Sequence, residues 1–209
     1  MHIDNYRVAS LTAGITAADS KGTNHGTYTN GPLLDQPGAL VGDSDRAAKL
    51  DGTNDYVSVP DAASLDLGDG AVTLEAWVKR NNTVAISAMV FFDRGTSAIE
   101  LAWEATDTVL VKSGVAYVGR WASTVSDTSW HHIVATRTST SAKLYVDGTL
   151  VSGTNTPATM LNTTTPLYLG AQTGTSSFLG ATIDEFAYYN TELTGATIQD
   201  HYRAGRGTG

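Results

Sequence analysis

The segment from Trp130-His131-His132-Ile133-Val134-Ala135 to Leu144-Tyr145-Val146-Asp147-Gly148 constrains this chain more than any other, because it spells a complete antiparallel hairpin. Ile133 and Ala135 alternate with His132, Val134 and Thr136, and Leu144 and Val146 alternate with Lys143 and Tyr145. Both runs therefore carry the two-residue period of a strand with one buried face. Asp147 and Gly148 fill the two central positions of the turn, where a type I′ backbone needs positive φ and Asp-Gly supplies it at least cost. The run Leu150-Val151 then pairs back.

The rest of the sequence repeats this pattern. Further strands are predicted at residues 6–10, 47–50, 56–59, 72–79, 85–92, 98–104, 108–112, 116–121, 167–170 and 182–189, with turn residues between most of them. Residues 16–30 read as a polar loop and 31–45 as a Gly/Pro-rich connection. Helical spacing occurs only near the end, over 193–204, where Thr194 is a candidate N-cap, Ile198 and Tyr202 share a face, and Gly205 is a stop. Residues 205–209 read as a flexible tail. With 21 glycines and 16% charged residues, the composition favours an all-β class. A length of 209 residues fits one sandwich domain spanning 1–209 with a substantial core.

Leu50-Asp51-Gly52-Thr53-Asn54-Asp55-Tyr56-Val57, the central hairpin, and Gly180-Ala181-Thr182-Ile183-Asp184-Glu185-Phe186 follow one another in an order that resembles the laminin-G-like domains of the concanavalin A-like lectin/glucanase superfamily. The similarity begins at Asp19-Ser20-Lys21-Gly22, runs through Val72-Thr73-Leu74-Glu75-Ala76-Trp77-Val78-Lys79 and closes with the terminal helix, so it covers nearly the whole chain. It implies a two-sheet antiparallel jelly-roll β-sandwich with a short C-terminal helix. The ligand is not implied, and function must be argued from sites.

With 13 basic against 21 acidic residues the formal net charge is −8, and Lys and Arg do not cluster. Such a field repels phosphate backbones and anionic lipid, which argues against nucleic acid and membrane surfaces as partners. The absence of cysteine removes disulfides, thiolate nucleophiles and thiolate metal sites. No basic segment followed by an apolar one opens the chain, and no run approaches the ~18 apolar residues of a membrane span.

Glycoside hydrolases of the superfamily carry carboxylates at alternating positions of one strand, and Ile183-Asp184-Glu185-Phe186 is the nearest match. Retaining hydrolysis needs carboxyl groups about 5–5.5 Å apart on one face. Thr182 and Phe186 flank Asp184 on its own face, and strand alternation turns Glu185 away. Glu100 and Glu104 share a face but stand roughly 13 Å apart along the strand and read as solvent-side residues. His131 and His132 project to opposite faces and do not converge on one ion. The chain is therefore expected not to be an enzyme.

A calcium ion is the better metal hypothesis, since hard cations take six to eight oxygens from loops rich in Asp and Asn. Asp19 and Asn24 share one such loop, Asp51 and Asp55 flank a Gly-Thr-Asn turn, and Asp184 sits among apolar residues where an ionised carboxylate needs a partner. The resemblance implies a structural Ca²⁺ tying the N-terminal loop to the last strand, with Asp19 and Asp184 as side-chain ligands and Asp51 and Asn24 as further candidates. The alternative is that these residues cap turns through backbone N–H groups.

Trp77 and Trp130 read as packing residues. Trp103, Tyr117 and Trp121, with Arg94 nearby, are the candidate ligand-binding set, because sugars are held by a stacking ring and planar polar side chains, and Tyr117 and Trp121 share a strand face. Core packing is the competing explanation for each ring. The reading is a non-catalytic recognition or adhesion module, extracellular, that binds carbohydrate or a protein surface. The alternative is a structural or decoration protein on a phage capsid or tail, at the virion surface, and a glycoside hydrolase comes third.

Overall fold

The computed structural model describes residues 2–4, 15–66, 68–83, 88–94, 99–104, 108–113, 116–122, 125–151 and 159–208, with backbone alone at 2–4, 88–92, 99, 104, 108–113 and 116–122. The strands, in chain order, are β1 (His2–Asp4), β2 (Ile15–Asp19), β3 (Gly26–Thr29), β4 (Leu33–Pro37), β5 (Arg46–Lys49), β6 (Tyr56–Val59), β7 (Val72–Arg80) and β8 (Ala88–Asp93). They continue as β9 (Ile99–Glu104), β10 (Thr108–Ser113), β11 (Ala116–Ala122), β12 (Trp130–Arg137), β13 (Ala142–Val146), β14 (Thr149–Leu150), β15 (Leu167–Leu169) and β16 (Ala181–Tyr189). One helix, α1 (Gly195–Gly205), follows.

All pairings are antiparallel and form two sheets. The first runs β1-β16-β7-β12-β13-β14, with β5 also paired to β16 and β4 to β5, and the second runs β2-β3-β6-β15-β8-β9-β10-β11. Strand β1 joins them, since Ile3 pairs with Phe186 on one side and with Asp19 on the other. Between the sheets lies one apolar core, in which Leu74, Ala76 and Val78 of β7 and Ile133 and Ala135 of β12 meet Val57, Val59, Leu101, Trp103, Leu167 and Leu169 of the opposite layer. This is the expected jelly-roll class, closed by a short C-terminal helix.

The central hairpin forms as its alternation dictates, with Ile133 opposite Val146 and Ala135 opposite Leu144. Asp147 and Gly148 have φ of 51° and 72°, the paired positive values of a type I′ turn, and β14 pairs back onto β13. Residues 16–30 and 31–45 depart from their reading as loop and connection, because they contain β2, β3 and β4. These strands are short, and their interior-facing positions include Ala17, Gly26 and Asp19 beside a lone Tyr28, too little apolar alternation to stand out. The predicted strand at 6–10 lies outside the described residues.

Helix α1 starts where the capping chemistry puts it, with the Thr194 hydroxyl accepting from the Thr197 amide at 3.1 Å. It lies on the outer face of the first sheet, where Tyr202 stacks on Trp77 at 5.8 Å between ring centroids and Ile198 packs with Val134 and Tyr145. The residues beyond it close back onto the last turn, the Arg206 amide donating to Tyr202 O and the Thr208 amide to Arg203 O. Among the described residues no helix is long and apolar enough to cross a membrane.

Candidate functional site

Strand β16 departs from the two-residue alternation just where it meets the outer face of the sheet. Asp184 pairs with Trp77 and Ala187 with Glu75, so two residues of β16 oppose the single Ala76 of β7. The extra residue makes a β-bulge, which re-aims side chains locally. Glu185 takes it up with a φ of 49°, uncommon for a residue with a side chain. The expectation that Glu185 faces away from Asp184 is thereby corrected, because the bulge brings it beside the residue 43–45 turn.

That turn is held from three sides. The Ala39 amide donates to Asp184 Oδ2 at 2.7 Å, the Val41 amide donates to the carbonyl of Gly205 at 2.9 Å, and the Asp45 amide closes an Asx turn on Asp43 Oδ1 at 3.0 Å. One carboxylate oxygen from each of Asp43, Asp45 and Glu185 then lies within 4.8 Å of the others. Burial, a hydrogen bond with Glu185 and the charges of Asp184, Glu185 and Asp43 push the Asp45 carboxyl up to about 8, and Asp184 is raised as well, chiefly by burial.

Between this turn, β16, β7 and α1 opens a cleft of about 580 Å³, lined by Val41, Asp43, Glu75, Trp77, Glu185, Tyr189 and His201 among others. Its floor is a buried ionic cluster. Glu75 Oε1 lies 2.7 Å from His132 Nε2 and 2.9 Å from His201 Nδ1. Burial alone drives the Glu75 carboxyl up, but the hydrogen bonds and charges of the two histidines outweigh it and hold it down to about 2. The same pair raises His201, whose bond to Glu75 is the largest cause. Tyr189 is raised by burial and then by the Glu75 charge, so its phenol stays a hydroxyl donor and acceptor at neutral pH.

Residues 51–199 match the laminin-G-like family model described as the concanavalin A-like lectin/glucanases superfamily. The chain belongs to that family. No curated protein matches the sequence. Among solved structures, the binding domain of botulinum neurotoxin DC in complex with rat synaptotagmin II superposes with a TM-score of 0.68 at 13% identity, over 97% of this chain and 50% of that one. A type C botulinum neurotoxin structure, titled for cell entry dependent on interaction with two ganglioside molecules, gives 0.68 at 12% identity over 97% and 50%. The binding domain of Paraclostridial Mosquitocidal Protein 1 gives 0.66 at 11% over 92% and 52%. At these identities the likeness shows the fold, and this laminin-G-like chain spans about half the length of each.

The cleft was not foreseen in the sequence, and the residues that were foreseen lie elsewhere. Trp103 is 0% exposed in the inter-sheet core, with the Arg80 guanidinium 5.6 Å from its ring centre, so it presents no surface to a ligand. Arg94 is 2% exposed and acts as an internal clamp: it donates to the carbonyls of Leu65 and Thr163 and to Asp61 Oδ1 at 2.7 Å, with Asp66 Oδ1 at 3.4 Å. Tyr117 and Trp121 lie on β11, and their side chains are outside the described residues. A register shift at Val111/Lys112 sets Tyr117 opposite Lys112 and Trp121 opposite Val109. Glu100 is 6% exposed, on a strand flanked by β8 and β10, and accepts from Gln172 Nε2, which corrects its reading as a solvent-side residue.

The implied calcium pair does not fit the residues present. Asp19 gives Oδ1 to the amides of Lys21 and Gly22 and Oδ2 to that of Asn24, the turn-capping alternative. Strand β1 separates it from β16, so the two backbones stand two strand spacings apart, ~9–10 Å. Asp51 likewise caps its turn, accepting from the amides of Thr53 and Asn54, and the Asn24 side chain accepts from Ser64 Oγ. Of the four, Asp51 lies beside the Asp55 carboxylate, and Asp184 lies near those of Glu185 and Asp43.

Proposed function

We propose that this laminin-G-like domain is a non-catalytic recognition module that works outside the cell and takes its ligand in the cleft between the residue 40–44 segment and α1. The observation that carries the reading is the cleft itself. Its volume of about 580 Å³ lies within the range of small-ligand sites, and Trp77 and Tyr189 stand beside the polar groups of Glu75, His201 and Glu185. Carboxylates at Asp43, Glu75 and Glu185 give the lining an acidic balance, which favours hydroxyl-rich neutral sugars or a basic protein segment over anionic ligands. The neurotoxin structures, whose titles name synaptotagmin and gangliosides for those proteins, offer precedent for both kinds of partner on this fold.

The carboxylates of the cleft do not argue for hydrolysis. Glu75 is engaged by His132 and His201, and Asp43 and Glu185 bring carboxylate oxygens within 4.8 Å of one another, closer than the 5–5.5 Å of a retaining pair. A glycan array followed by calorimetry on the purified domain tests the proposal. Neutral oligosaccharides are expected to bind, and Tyr189→Ala, which removes a half-buried ring from the cleft wall, should weaken them by roughly tenfold while the fold persists. Turnover of any polysaccharide would overturn the non-catalytic reading. A blank array with adhesion of the protein to a virion lattice would replace it with the structural role.

A further inference from the structure

We infer that His201 is the hydrogen-bond donor with which the cleft holds neutral, hydroxyl-rich saccharides, gripping them through Nε2 as an imidazolium and releasing them as the pH rises. This rests on the reading of the cleft as the ligand site. Glu75 is an ionised carboxylate and can only accept, so the contacts of His201 Nδ1 with its two oxygens, at 2.9 and 3.2 Å, commit the Nδ1 proton to them. Nε2 lies on the far side of the ring from that floor. It meets no partner among the described residues, and its side chain is 40% exposed and lines the cleft. The other polar groups of the floor are already engaged: His132 Nε2 lies 2.7 Å from the same Glu75 oxygen, and the Tyr189 hydroxyl is bonded to Glu75. His201 Nε2 is thus the donor that the floor leaves for a ligand.

The same lining selects the class of ligand. His201 donates from α1, while Asp43 and Glu185 line the cleft from the turn and from β16 as acceptors. A ligand that meets both must accept on one side and donate on the other, and a sugar hydroxyl does either. A lysine- or arginine-rich segment only donates and faces the like charge of His201, and an anion only accepts and faces the carboxylates. The charges around His201 act in its favour on balance. Glu75 of β7 raises it most, burial opposes, and Asp200 on α1 adds to the rise. Of the remaining neighbours, His132 of β12 shares Glu75, Tyr189 of β16 stays a neutral phenol, and Arg203 of α1 lies 3.9 Å from Asp200. His201 therefore stays an imidazolium to above its ordinary 6.5, so the charge-assisted bond is complete below pH 6.5 and is lost as the pH passes through the raised value.

Calorimetric titration of the full chain with neutral trisaccharides of glucose, galactose and mannose, and with tetralysine, decides the matter at pH 5.5 and 8.5. At least one trisaccharide should bind at pH 5.5 and weaken by about fivefold at pH 8.5, since charge-assisted hydrogen bonds are roughly twice as strong as neutral ones. His201→Gln should bind it more weakly than the parent at pH 5.5 and about equally at pH 8.5. His131→Gln should keep the parent's pH dependence, because His131 is also raised but does not line the cleft. Imidazole NMR titration of the unmutated protein needs no variant to fold: by reciprocity the bound trisaccharide should raise the pKa of His201 and leave that of His131 in place. Trisaccharide binding that is equal at both pH values, that keeps its pH dependence in His201→Gln, or that leaves the His201 titration unmoved overturns the inference and spares the cleft as a ligand site. Tetralysine that binds in place of the sugars, and more tightly as the pH rises, overturns the saccharide assignment. Sugar binding that Tyr189→Ala leaves untouched, or no binding of any probe, overturns the reading of the cleft itself.

Discussion

On the inner face of β7, Val72, Leu74, Ala76 and Val78 pack into the core between the sheets, while on its outer face Thr73, Glu75 and Trp77 lie beneath α1 and its approach. Both faces are buried. The inner one is filled by apolar side chains whose requirement is volume. The outer one is held by directed contacts: the Thr73 hydroxyl donates to Thr191 O and accepts from the Leu193 amide, Glu75 receives both histidines, and Trp77 carries Tyr202. The inner face keeps the domain folded, and the outer face fixes where the helix sits and so shapes the cleft.

The sharpest way to break this comparison is to truncate one residue on each face. Glu75→Ala should cost about 3–5 kcal/mol, because His132 is then left buried without its charged partner. Leu74→Ala should cost about 2–5 kcal/mol through the cavity it leaves. Denaturant unfolding gives both numbers, but the two should differ in kind. At temperatures where each variant is fully folded, cleft ligand affinity is expected to fall in the Glu75 variant and hold in the Leu74 variant. Equal affinities would erase the distinction between the faces.

A smaller effect sharpens the same point at the helix end. Gly205 closes on the outer face so tightly that an added Cβ would lie 2.5 Å from Trp77 Cζ2 and 2.8 Å from Leu40 Cδ2. Gly205→Ala should therefore destabilise by about 1–3 kcal/mol, the usual range for overpacking, despite the better helix propensity of alanine. A stabilised variant in thermal melts would mean that α1 is free to shift outward.

The contrast between faces also explains what could be read from the sequence. The β12–β13 hairpin was legible because alternation, an Asp-Gly turn and a helix cap are local rules, and Ile133, Leu144, Asp147 and Thr194 obey them. The cleft was not, because it depends on a register shift that only pairing reveals. Glu185 has the same neighbours in sequence whether or not β16 carries an extra residue opposite Ala76. Glu75 sits in an alternating strand, and nothing local tells that His132, 57 positions on, and His201, 126 positions on, converge on it. Aromatic residues misled for a related reason: Trp103 looked like a platform because a ring in a strand carries no sign of which sheet face it will join.

The smallest expected effect tests the electrostatic part of the outer face. Glu75, held down to about 2 from an ordinary 4.5, contributes stability above pH 4.5 that is lost as the pH falls toward 2. His201 has the opposite sign: its raised pKa contributes below its ordinary 6.5 and is lost as the pH rises through the raised value. The attachment of α1 is therefore strongest between about pH 4.5 and 6.5 and weakens on the alkaline side. The alkaline loss is modest, a few tenths to about 1 kcal/mol, because the His201 side chain is 40% exposed and water screens the pair. His131, raised by its bonds to Asp147 and Asp127, adds a parallel alkaline loss elsewhere in the molecule, so the comparison must be between proteins rather than between pH values alone. Urea unfolding of the parent and of His201→Gln at pH 5.5 and 8.5 isolates the helix: the variant should be the less stable of the two at pH 5.5 and should approach the parent at pH 8.5. If the gap between them is the same at both pH values, His201 holds α1 by packing and hydrogen bonding alone, and the charge on the outer face plays no part in docking the helix.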